Sequence, residues 1–245
     1  MAKPSPKSFV VVEAADGAGL VRGEVHFTTR RTLGISVNPD GGVEISAPEG
    51  THPSELTANL KKKIPWIRRQ QRHFLKFHPP LPPRQYVSGE THYYRGRQYR
   101  LKIVMGTLAG VSLRSGRLMV TTTKPDDREE VREMLEEWYS ARAAECFPKL
   151  LAAVWTTIAI KPCPAPVLQI RPMRKRWGSF TRGGKVLLNP ELIKAPVVCQ
   201  EYVVVHELCH LVRPDHSRAY FALLRRVMPD WQERKTRLDF LGARF

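Results

Sequence analysis

The chain has 245 residues, 42% of them hydrophobic and 26% charged, with 40 Lys+Arg against 23 Asp+Glu and a formal net charge of +17. That length supports one large or two small cores, and this composition excludes disorder of the bulk chain. No apolar run approaches the roughly 20 residues of a membrane span, and the short run at residues 9–12 is no signal-peptide core.

Taken in order, residues 1–20 enter a strand late. Residues 32–37 and 43–47 alternate around an Asn-Pro-Asp-Gly-Gly turn and predict a hairpin. A helix is expected from Ser54, as N-cap, to about Phe77, with a break or kink at Pro65. The proline run at 79–83 reads as a stiff linker. Short strands follow at 86–87, 91–94, 98–104, 111–113 and 118–122. The first half is therefore expected to be a mostly antiparallel β module with one basic helix, over residues 1–124.

The second half, residues 125–245, changes character. Asp126-Asp127 can cap a long helix to about Ile158, with acidic residues in its first turn as the helix dipole prefers. Strands are expected at 168–171 and 185–189, and an edge near 185–189 could hold an extended peptide by strand addition. Pro196 opens a helix through His210, Ser217–Met228 forms another, and a short basic helix closes the chain. The fold class is α+β.

The charge is uneven. Residues 51–100 hold 11 basic and 2 acidic side chains, and residues 151–200 hold 8 and 1. One cluster contains Lys61, Lys62, Lys63, Arg68, Arg69 and Arg72; the other contains Arg171, Arg174, Lys175, Arg176, Arg182 and Lys185. Such patches either bind polyanions, nucleic acid or nucleotides among them, or are solvated faces of a basic protein. The four cysteines form no Cys-x-x-Cys pair. That pattern points to a reducing, cytoplasmic setting, without a disulfide framework or a cysteine zinc site.

The chemistry-bearing segment is His206-Glu207-Leu208-Cys209-His210, followed by Pro214-Asp215-His216. On a helix, His206 and His210 share a face, and Glu207 beside the first can reach a water at the metal without ligating it. The turn at Pro214 can return His216 as a third ligand. Three protein ligands and one open position are what a catalytic Zn2+ requires. The reading needs a helix, whereas the run Val203-Val204-Val205 favours a strand by propensity. Arg176 and Trp177 could orient substrate or brace the active-site helix. Tyr220 could donate to an oxyanion or be a core aromatic. Cys209 reads as a buried filler, and His73, His78 and His92 as surface residues.

Residues 174–179 (Arg-Lys-Arg-Trp-Gly-Ser), Leu188-Asn189, the 202–211 segment, His216-Ser217 and Pro229-Asp230-Trp231 together resemble the YgjP-like (DUF45) family of zinc metallopeptidases, related to SprT-like and Wss1-like proteases. The resemblance implies a minimal zincin-like fold, with an active-site helix, a small sheet, His206, His210 and His216 as zinc ligands and Glu207 as general base. It departs at Phe180, where the family usually has Cys. The spacing to His216 equals that of metzincins, but Arg213 stands where they have a turn glycine, and no Met-turn is recognisable.

The function expected is zinc-dependent peptide or protein hydrolysis, with Arg174, Arg176, Trp177 and Tyr220 as substrate-contacting candidates. The alternatives are a metal-dependent nucleotide phosphoanhydride hydrolase and a DNA-associated protease acting on nucleic-acid-bound proteins. No membrane partner is expected.

Overall fold

The computed structural model describes residues 8–13, 19–29, 31–38, 40–75, 82–158, 165–173, 176–181 and 183–242, without the side chains of 8–10, 12–13 and 73–74. Two compact units divide the chain, Met1–Leu81 and Pro82–Phe245. Among the described residues, no helix is long and apolar enough to cross a membrane.

The first unit contains β1 (Ser8–Glu13), β2 (Leu20–Thr28), β3 (Gly34–Val37), β4 (Val43–Pro48) and α1 (Pro53–Leu75). Its sheet has the order β1-β2-β4-β3, with β2 and β4 parallel and the outer pairs antiparallel. The predicted hairpin is β3–β4, and Gly41 takes φ +85° at its turn. Alternation sends Val43, Ile45 and Ala47 inward from β4. Leu56, Leu60, Ile64 and Ile67 follow helical spacing and close the core from α1. The helix starts one residue before the expected cap. Pro53 opens it, its fixed φ suiting a first helical position, and the His52 carbonyl accepts the Glu55 and Leu56 amides. It runs unbroken through Pro65. Lys61, Lys62, Lys63, Arg69 and Arg72 lie on its solvent side.

The second unit begins with β5 (Thr91–Tyr94), β6 (Arg97–Met105), β7 (Gly110–Arg114), β8 (Arg117–Thr122) and α2 (Arg128–Thr157). The sheet order, β5-β6-β8-β7, repeats the pairing pattern of the first unit, with β6 and β8 parallel. Two hairpins joined through a central parallel pair, followed by a helix, thus occur twice without a visible sequence repeat. Residues 86–87 are not a strand. Asp127 caps α2, its side chain accepting the Glu130 amide, and the helix continues through Pro148.

The remaining elements are β9 (Val167–Ile170), β10 (Gly178–Phe180), β11 (Lys185–Leu188), a 3-10 helix (Pro190–Lys194), α3 (Val197–Cys209), α4 (Arg218–Val227) and α5 (Trp231–Gly242). The expected division at residue 124 does not hold. Leu101, Leu118 and Val120 from β6 and β8 share one core with Leu135, Tyr139 and Phe147 of α2 and with Val203–Val205 of α3. Cutting between β8 and α2 would expose that apolar surface to water. Phe147 is fully buried, and Phe147→Ala is expected to cost about 3–5 kcal/mol in urea unfolding of the full chain.

His92 is a correction to the surface assignment: it is 2% exposed, with Nε2 3.0 Å from Glu90 Oε2. Burial, reinforced by Arg84, lowers its pKa from 6.5 to about 4. Protonation therefore opposes folding. Stability from this group is complete above pH 6.5 and is lost as the pH falls towards 4. His92→Gln should flatten the loss of unfolding free energy across that window relative to the unsubstituted chain; equal slopes would contradict the assignment.

Candidate active site

The valine run forms a helix, α3, because packing decides what propensity does not. Tyr202, Val203, Val204, Val205, Leu208 and Cys209 are all buried, against α2, α4, β10 and β11. A helix apolar around most of its circumference is stable only when so enclosed. Helical spacing then brings His206 and His210 to one face, ring centroids 5.3 Å apart. At the end of α3 the turn tightens. The His210 amide bonds to Glu207 O, and both Val212 and Arg213 donate to Cys209 O. Pro214 follows, and His216 returns to the helix face. Arg213 has no positive φ, so this turn makes no demand for the glycine that metzincins place there.

The three imidazoles converge. His206 Nε2 and His216 Nε2 are 3.1 Å apart, and one nitrogen from each of His206, His210 and His216 lies within 4.8 Å of the others. A tetrahedral cation with about 2.0–2.1 Å to each nitrogen would hold such atoms roughly 3.3 Å apart. His210 Nδ1 lies 3.0 Å from Arg213 O; donating there leaves Nε2 as a free lone pair, the usual arrangement behind a metal-ligating histidine. His206 Nδ1 is buried without a hydrogen-bond partner among the described residues. Burial, then His216 and His210, push the His206 pKa down to about 3, and burial lowers that of His216. Both rings are uncharged at neutral pH and can act as ligands. The donor set and its spacing fit a divalent cation.

Glu207 is 5% exposed and lines the same groove as the histidines, a depression of about 1130 Å³. Burial raises its pKa from 4.5 to about 7, opposed by Arg176. What allows its placement is Gly178 on β10. A Cβ there would stand 2.8 Å from Glu207 Oε1 and 2.9 Å from Val203 Cγ1, so β10 can pass α3 at this distance only without a side chain.

Asn189, also buried, fixes the adjoining segment. Its Nδ2 donates to Met173 O at 2.8 Å and Arg176 O at 3.1 Å, and its amide donates to Trp177 O at 2.9 Å. Gly178 and Asn189 are the residues sequence reading passed over. Both lie in the stretches that carry the family resemblance, and their burial beside α3 is the signal that distinguishes them.

Arg176, Trp177 and Phe180 line the groove, with Lys235 and Asp239 from α5. Trp177 is half-buried, and its ring meets Gly242, where a Cβ would come within 2.7 Å. Arg174, Lys175 and Arg182 lie outside the described residues. Tyr220 is not at the substrate surface. It is fully buried beneath the histidines, stacked on His210 at 4.8 Å, and its hydroxyl donates to His206 O at 3.0 Å. That carbonyl would receive the His210 amide in a regular turn, and the tightened end of α3 leaves it to Tyr220. Tyr220→Phe should cost about 1–3 kcal/mol in chemical denaturation through the abandoned acceptor.

The expected peptide-holding edge at 185–189 is also corrected. β11 is the central strand of the order β10-β11-β9, bonded to β10 on one side and β9 on the other. The edge strand that lines the groove along its whole length is β10.

Residues 31–240 match the YgjP-like family, metallopeptidase domain. No curated protein matches the chain. Among solved structures, the chain is similar to the crystal structure of the metallopeptidase zymogen of Pyrococcus abyssi abylysin, at 22% identity over 37% of this chain and 90% of that one, with a TM-score of 0.33, too slight a likeness to carry an argument. With the family match spanning most of its length, the chain belongs to the YgjP-like family and is a metallopeptidase.

Proposed function

We propose that His206, His210 and His216 hold one zinc ion and that Glu207 is the general base in the hydrolysis of peptide bonds. The convergence of the three imidazoles beside a buried carboxylate is the observation that carries this reading. Zinc held there would supply a Lewis acid and lower the pKa of water. Glu207 takes a proton from the attacking water and passes it to the leaving amine. Its raised pKa suits a group that must both accept and return a proton near neutrality. A cation at the histidines acts on that carboxylate in the same direction as Arg176.

An extended substrate fits the free edge of β10, whose backbone can extend the sheet by one strand. Arg176 and Trp177, fixed by Asn189, and Phe180 would contact its side chains. Peptide hydrolysis is preferred to nucleotide hydrolysis because the family is one of metallopeptidases. The same match lends no support to nucleic-acid or nucleotide binding at the basic surfaces. The free thiols of Cys146, Cys199 and Cys209 accord with a reducing, cytoplasmic setting.

His216→Ala tests the ligand set. Zinc affinity should fall, because two imidazoles from one helix turn remain where three converged. Unchanged stoichiometry and affinity in a competitive chelator titration would remove His216 from the set.

A further inference from the structure

The unit Pro82–Phe245 contains a second cavity, of about 350 Å³, which shares no lining residue with the catalytic groove. It lies among the segment preceding β5, the α2 helix and the 3-10 helix. Lys194 is only 7% exposed there, its ammonium paired with Glu191 and lying 4.7 Å from the centroid of the Tyr139 ring. Buried His92 forms another part of the wall. Tyr86, also lining the cavity, has φ +54°. For a bulky residue this conformation costs about 1–3 kcal/mol and persists only where its surroundings impose it, most often at ligand sites and switches. Here the Glu90 carboxylate imposes it, accepting the amides of Gln85 and Tyr86 at 2.9 and 3.0 Å. A buried lysine and a strained tyrosine both cost stability, and the peptidase reaction uses neither.

We propose that this cavity binds a free amino acid. The charged groups facing it are Arg84 and Lys194 on one side of the balance and Glu136 and Glu191 on the other. A ligand of net charge would leave that balance uncompensated in a site of low polarisability, whereas a zwitterion matches it. The α-carboxylate is placed by the guanidinium and ammonium, the α-ammonium by Glu136, and the side chain lies against Leu135 and the tyrosine rings. The volume is at the lower end of the roughly 300–1,000 Å³ of small-molecule sites. His92 is uncharged at neutral pH and leaves the balance intact.

The test is calorimetric titration and thermal unfolding of the full chain with each of the twenty amino acids, at concentrations up to about 10 mM, where a bound ligand stabilises by mass action. At least one should bind, and its N-acetyl and carboxamide derivatives, each lacking one charge, should bind at least tenfold more weakly. Glu136→Gln, at an exposed position of α2, should weaken binding of the same amino acid at least tenfold without disturbing the fold, and so should Lys194→Met. If no amino acid binds, or the capped forms bind equally, the proposal is overturned. Affinity that survives Glu136→Gln would place the amino acid elsewhere, for instance in the catalytic groove, and would also overturn it.

Discussion

Glu207→Gln is expected to reduce peptide hydrolysis by at least the roughly 10²–10⁴-fold credited to general acid–base catalysis, with zinc content unchanged. The substitution keeps the shape that fits beneath Gly178 and removes only the basic oxygen. Glu207 is adjacent in sequence to His206 but is not one of the three groups whose nitrogens converge, so the metal site does not depend on it. Zinc lost together with activity would make Glu207 a ligand or a ligand-orienting group. Full activity would assign the base to another residue.

Gly178→Ala is expected to impair activity through geometry alone. The added methyl meets Glu207 Oε1 at 2.8 Å, Glu207 Cγ at 2.9 Å and Val203 Cγ1 at 2.9 Å. Either β10 withdraws or the carboxylate is displaced. Overpacking of this kind costs about 1–3 kcal/mol of stability. A carboxylate moved by the order of 1 Å loses about 10²-fold in rate. Steady-state kinetics beside urea unfolding separate the two effects: kcat should fall in protein that is still fully folded at the assay temperature. Unchanged kcat in folded Gly178→Ala would mean that the close passage of β10 does not position the base.

The histidine site was legible in the sequence because its information is local. A spacing of four residues fixes one helix face, and a proline four residues after His210 permits the return of His216. The helix itself was less legible, since Val203–Val205 prefer extended backbone in isolation and become helical through burial against elements from α2 to β11. Strand β10 went unread for a similar reason. Three residues, Gly178, Ser179 and Phe180, are too few to show alternation, and their partner β11 is set by tertiary pairing. Without β10, the 185–189 segment looked like an edge.

The burial of His92 and the unbroken core across residue 124 depend on contacts distant in sequence. Lys194, which faces the same cavity as His92, lies about 100 positions away, and no pattern around residue 92 reports it. The capping of α2 by Asp127 and of α4 by Ser217, by contrast, was read correctly, because a cap is decided within three residues.

The central claim is that three histidines, and no other side chains, present one zinc ion to substrate beside Glu207. X-ray absorption of the zinc-loaded full chain tests it most directly. One zinc per chain is predicted, with three imidazole nitrogens at about 2.0–2.1 Å and no sulfur neighbour. A sulfur shell at about 2.3 Å, which Cys209 between the two motif histidines could supply, or a zinc bound with fewer than three imidazoles, would contradict it.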